Sequence, residues 1–140
     1  MTEPKFHHVG IVVDDLESTV DRFKGFGLNL REVVENKEAG YKIAFFPVGD
    51  TLIEFISYMK DLGEEDNPMS RVVRSQKGAI NHICLEVEDI DASIRKFEKN
   101  GARLVEGCPK AGITGRIAFF YPETTEGVLI EVSQSPRQNP

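Results

Sequence analysis

A chain of 140 residues can build one real hydrophobic core but not two ordinary ones, so a single domain over residues 1–140 is expected. Its 40% hydrophobic and 29% charged residues suit a globular protein, and no run approaches the roughly 20 apolar residues of a membrane span, which excludes insertion. The net charge of −6, with no concentrated basic run, argues against nucleic acid; residues 1–7 hold no apolar signal core and two cysteines make no disulfide framework, so a cytoplasmic location is expected.

The first predicted element is the β-branched run Val9-Gly10-Ile11-Val12-Val13, a strand. Asp14 and Asp15 then cap a helix whose apolar residues Leu16, Val20 and Phe23 recur at i, i+4, i+7, and Gly27 fits its terminating position. Strands follow at roughly 30–35, 41–48 and 51–57, with Gly49-Asp50 as a two-residue hairpin turn. Residues 58–79 read as a linker covering part of the sheet. Within it Gly63 to Pro68 is a polar break, and Asn67 as cap and Pro68 at the first helical position open a short helix through Arg74.

The plan then repeats. His8 to Leu16 lies over His82 to Ile90 at a constant offset of 74, which also carries Val20 to Ile94, Phe23 to Phe97, Gly27 to Gly101, and Ile43-Ala44-Phe45-Phe46 to Ile117-Ala118-Phe119-Phe120. After a three-residue insertion, Leu52-Ile53-Glu54 matches Leu129-Ile130-Glu131. The second half therefore predicts a strand from Ile83 to Val87, a helix capped by Glu88 and Asp89, and strands at 102–106, 115–121 and 127–133. Two βαβββ halves result, about 6–57 and 80–134, in an α+β fold. The tail from Ser135 to Pro140 has no apolar content and is expected to fray.

Strand alternation assigns the chemistry. If Val9, Ile11 and Val13 meet the helix, His8 points to the opposite face, and His82 follows by repeat. His7 pairs with Asn81 under the offset and faces the other way. Glu54 and Glu131 each sit inside an apolar run, where a carboxylate is costly unless paired or bound to a metal. A lone strand histidine is usually structural. Recurrence of both a histidine and an embedded glutamate makes His8, Glu54, His82 and Glu131 a candidate divalent-metal set. Glu86 shares the face of His82 but its mate is Val12, which suits a supporting or solvent-facing role. Cys84 and Cys108 have no activating partner visible in sequence and read as inert thiols.

The quartet, the doubled βαβββ pattern and the strings His8-Val9-Gly10-Ile11-Val12-Val13, Phe46 to Glu54, Asn81 to Val87 and Gly127 to Glu131 resemble the vicinal oxygen chelate (glyoxalase/bleomycin resistance) superfamily, and within it the methylmalonyl-CoA epimerases. The resemblance covers about residues 6–134. It implies a cup-shaped mixed sheet around a metal held by His8, Glu54, His82 and Glu131, commonly in a homodimer, with Co²⁺, Mn²⁺ or Ni²⁺ suiting an open octahedral site and Zn²⁺ also possible. The implied reaction interconverts the epimers of methylmalonyl-CoA by α-proton abstraction through a metal-stabilised enolate, with Glu131 the first candidate for proton transfer and Glu54 for the other face. Lys42, Lys110 and Arg116 are candidates for binding the acyl-CoA phosphates. Some family members carry a catalytic glutamate where this chain has Ile43; a Gly-Ala-His-Gly loop is replaced by Gly112-Ile113-Thr114-Gly115, and a His-Pro pair by Tyr121-Pro122. Alternatives on the same fold are a glyoxalase I-type lactoylglutathione lyase and a non-catalytic small-molecule-binding protein. A ring-cleaving dioxygenase fits less well, because Fe(II) oxygen chemistry uses two His and one carboxylate.

Overall fold

Each acidic pair that follows the first strand of a half starts a helix. Asp15 and Asp89 stand at N-cap positions with extended backbone, and their carboxylates accept from the amides of Ser18 (3.2 Å) and Ala92 (3.0 Å). Gly27 and Gly101, with φ of 102° and 100°, take the left-handed turn that ends each helix.

The protein is described by a computed structural model covering residues 3–59, 67–75, 80–113 and 115–135. The elements in chain order are β1 (Lys5–Val12), α1 (Leu16–Gly25), β2 (Glu32–Asn36), β3 (Tyr41–Val48), β4 (Thr51–Tyr58), α2 (Pro68–Ser75), β5 (Ile80–Glu86), α3 (Ile90–Lys99), β6 (Lys110–Gly112), β7 (Gly115–Phe120) and β8 (Ile130–Gln134). The described residues fall into two compact units, drawn from His8–Asp66 with Lys77–Asn81 and from Met1–His7 with Asn67–Gln76 and His82–Pro140. They correspond closely to the two sequence halves.

In the first unit the strand order is β2-β3-β4-β1, with β1 parallel to β4 and the other pairs antiparallel. The parallel pair requires a crossover, and α1 begins it. β3 and β4 join through Gly49-Asp50 as expected, Val48 facing Thr51 and Gly49 at φ 59°. Alternation sorts the side chains. On the helix side Val20, Ala44, Phe46 and Phe55 are buried together, with Ile11, Val13, Leu16 and Phe23 packed against them. On the other side Ile43, Phe45 and Ile56 cluster with Val12, Val34 and Leu52. Full burial of Phe46 and Phe55 contributes roughly 2–3 kcal/mol each from apolar surface removed from water.

The second unit repeats this as β5-β8-β7-β6, with β5 parallel to β8. Val87, Ile90, Ile94, Ala118, Phe120 and Val132 form its helix-side core, where Phe97 stacks on Phe120 at 4.5 Å and 14°. Even single hydrogen bonds recur: Arg31 N donates to Phe45 O, and Val105 N to Phe119 O. The predicted helix in the linker is α2, capped by Asn67, whose Oδ1 accepts from Ser70 N at 2.8 Å. Its Val72, with Met69 and Val73, packs on the face opposite α3, against Ile117, Phe119 and Leu129.

Two expectations need correcting. The predicted strand at 102–106 is reduced to one bridge, Leu104 to Phe120, and the paired segment is β6, further along. Gly107 at φ 92° and Pro109, which has no amide hydrogen, interrupt the ladder between the two stretches. The last strand begins at Ile130 rather than residue 127, because the three-residue insertion forms a 3-10 turn at Pro122–Thr124 and a bend with Glu126 and Gly127 at positive φ. The part of the polar break from Gly63 to Asp66, Thr114, and the tail beyond Ser135 lie outside the described residues.

Candidate metal and substrate site

His8 and Glu54 follow from register. In the β1–β4 pair His8 stands opposite Leu52 and Gly10 opposite Glu54, so His8, Gly10, Leu52 and Glu54 share the face away from α1. His8 is 1% exposed and Glu54 3%, whereas His7 is only half-buried. His8 Nδ1 lies 2.9 Å from Glu54 Oε2. That oxygen nevertheless accepts no hydrogen bond among the described residues. The separation is short enough for a hydrogen bond but the alignment is not that of one.

The second unit repeats the arrangement. His82 and Glu131 are buried on the face away from α3, with His82 Nε2 3.2 Å from Glu131 Oε1. Cys84 is the register partner of Glu131, and its Sγ donates to Ser133 Oγ at 3.4 Å. The ring of His82 meets that of Phe119 edge-on, centroids 5.6 Å apart at 85°. Phe119 itself is the cross-strand partner of Glu131.

These pairs suit a divalent ion. Two donor atoms each about 2.1 Å from one ion, at right angles to each other, stand about 3.0 Å apart. The observed 2.9 Å and 3.2 Å bracket that separation. Imidazole with carboxylate is a donor set for borderline divalent metals. A buried carboxylate oxygen without a hydrogen bond is costly, and a cation would satisfy it. The donor atoms and spacing of each pair therefore fit those of divalent-metal ligands.

The predicted substrate contacts separate. Lys110 stands opposite Ile117, which places it on the Glu131 face of the second unit. Lys42 and Arg116, equivalent under the repeat, alternate onto the helix sides. Lys42 lines a groove of about 590 Å³ with Asp14, Glu17, Asp21 and Val33, where carboxylates outnumber cations and repel phosphate. Arg116 Nη1 lies 3.4 Å from Asp91 Oδ2 of α3, both half-exposed, a contact worth well under 1 kcal/mol. Neither side chain is brought to a His–Glu face. Ile43 is buried beside Ile56 and Phe45, so its surroundings are apolar.

Sequence reasoning missed Phe119. Its signal was the repeat Phe45/Phe119, each directly opposite a candidate carboxylate in the ladder. Burial pushes the half-buried Cys108 thiol above its ordinary range, opposed by a backbone hydrogen bond at Phe119 and by Lys110. That agrees with an inert thiol. No helix among the described residues is long and apolar enough to cross a membrane.

Known proteins similar to this chain identify its family. Residues 7–120 match the Glyoxalase/Bleomycin resistance protein/Dioxygenase superfamily. Methylmalonyl-CoA epimerase of Dictyostelium discoideum, mitochondrial, is 30% identical over 132 residues, covering 93% of this chain and 78% of that protein. Ethylmalonyl-CoA/methylmalonyl-CoA epimerase of Cereibacter sphaeroides is 31% identical over 133 residues, covering 93% and 97%. Among solved structures, methylmalonyl-CoA epimerase from Mycobacterium tuberculosis superposes with a TM-score of 0.75 at 26% identity, covering 94% of this chain and 87% of that one. The chain belongs to the glyoxalase/bleomycin resistance/dioxygenase superfamily and, within it, to the family of the methylmalonyl-CoA epimerases, which are isomerases.

Proposed function

We propose that the chain interconverts the epimers of methylmalonyl-CoA, with His8, Glu54, His82 and Glu131 together holding one divalent ion, Co²⁺, Mn²⁺ or Ni²⁺ before Zn²⁺. The observation that carries the metal reading is the recurrence of a buried His–Glu pair in both halves, at 2.9 Å and 3.2 Å. Family membership carries the substrate.

The obstacle in this reaction is the negative charge that develops when a C–H next to a thioester loses its proton. The chemistry an ion supplies there is Lewis-acid stabilisation of that charge, worth several kcal/mol. The protein's own groups do the rest. Glu131 accepts the α-proton on one face, and Glu54, or a water, serves the other. Ile43, buried and apolar, offers no proton-transfer group of its own. Lys110, on the Glu131 face, is the cation placed to meet an anionic part of the acyl-CoA. A homodimer working in the cytoplasm completes the reading.

Incubation of metal-loaded protein with methylmalonyl-CoA in D₂O tests it. Deuterium is expected at the α-carbon; no incorporation would sink the epimerase, and turnover of the glutathione hemithioacetal instead would support a lactoylglutathione lyase. Elemental analysis of His82→Ala should show loss of stoichiometric metal, and full retention would refute the quartet.

A further inference from the structure

Phe119 neighbours both members of the second half's ligand pair. It is the direct cross-strand partner of Glu131 in the β7–β8 ladder, and its ring meets the imidazole of His82 edge-on at 5.6 Å and 85°. Directly opposed residues of an antiparallel pair hold their Cβ atoms about 5 Å apart, so the ring also walls one flank of the carboxylate. The ring is itself fixed: Phe119 is buried with Val72 of α2, Val105, Ile117 and Leu129. Its neighbour Phe120 points to the other side and stacks on Phe97.

An imidazole ligand must present one nitrogen in one plane. Rotation about its ring-bearing bond is broad and only loosely restrained by the side chain's own torsions. Hydrogen-bond partners that fix the orientation of a ligating histidine change metal affinity by about 10–100-fold, and a ring packed against the imidazole restrains the same plane. Edge-to-face aromatic packing fixes a plane where an aliphatic side chain of similar bulk would not.

We infer that Phe119 is a positioning residue for the metal pair of the second half, holding the His82 imidazole in the plane that keeps Nε2 beside Glu131 and shutting water off one flank of both. This rests on the metal reading above. Loss of the ring leaves His82 and Glu131 in place but lets the imidazole turn, so the ion is held less well and in a less uniform ligand field.

The test uses Co²⁺ with the whole chain, affinity by calorimetry and the visible d–d absorption of the bound ion. Phe119→Leu is expected to weaken Co²⁺ binding about tenfold and to shift or broaden the absorption. Phe119→Tyr, which keeps the ring, should return both toward the unsubstituted values. Phe120→Leu removes a ring from the same strand on the opposite face; it should lower the melting temperature yet leave affinity and spectrum unchanged. Should Phe119→Leu not fold, Phe119→Met carries the same expectation. Unchanged affinity and spectrum in the ring-less variant, or an equal change in Phe120→Leu, would overturn the positioning role while leaving the metal reading intact. Failure of the unsubstituted protein to bind Co²⁺ would overturn both.

Discussion

Glu54 stands directly opposite Phe45 in the β3–β4 ladder, with Ile43 and Ile56 on the same buried face. A carboxylate in such company destabilises the protein unless a cation meets it. The paired substitution His8→Leu/Glu54→Leu should therefore raise the stability of the metal-free protein by about 1 kcal/mol or more, read as a higher midpoint in chemical denaturation. The same substitution should abolish the rise in melting temperature that Co²⁺ gives the unsubstituted protein, a rise corresponding to about 2.7 kcal/mol at one hundred times the dissociation constant. A fall in metal-free stability would mean that the His8 contact alone outweighs burial of the carboxylate.

Glu131→Gln keeps an oxygen donor and the size of the side chain but removes the base. Deuterium incorporation at the substrate α-carbon should drop by about 100-fold or more, with metal retained by elemental analysis. An undiminished rate would move the proton-transfer role to Glu54 or to water.

The two helix caps are equivalent in geometry, Asp15 accepting from Ser18 N at 3.2 Å and Asp89 from Ala92 N at 3.0 Å. Asp15→Ala and Asp89→Ala should each cost about 1 kcal/mol of stability without altering metal stoichiometry. Denaturant midpoints with an unchanged slope would show this.

Burial raises the Cys108 pKa, so the fraction of reactive thiolate at pH 8 is smaller than for a free cysteine. Alkylation by iodoacetamide, followed by mass spectrometry, should be slower at Cys108 than for a cysteine peptide, and its rate should still climb at pH values where the peptide has levelled off. Cys84, wholly buried, should react slower still.

Much of this was legible in the residues because the repeat doubles each signal. The caps at Asp15 and Asp89, the turns at Gly27 and Gly101 and the hairpin at Gly49-Asp50 rest on local backbone chemistry, which one short segment can encode. Choosing His8 over His7 needed only the two-residue period of a strand, and the same period could have turned Lys42 and Arg116 away from the His–Glu faces. What was not legible depended on pairing between distant segments. The edge-on contact of Phe119 with His82 requires the order β5-β8-β7, and the shift of the predicted strand at 102–106 to Lys110–Gly112 required knowing where Gly107 and Pro109 would break the ladder.

That break bears on how the protein avoids sticking to itself. An outermost strand offers unpaired amides and carbonyls to any passing chain, and long, flat, apolar ones seed aggregation. The two halves guard theirs differently. β2 is continuous over five residues and sets Glu32 and Glu35 along its length, so that a second copy would bring like charges together. β6 carries no acidic residue, but it is three residues long, and the Gly107–Pro109 interruption removes the flat template just before it. One copy of the repeat relies on charge and the other on shape for the same protection.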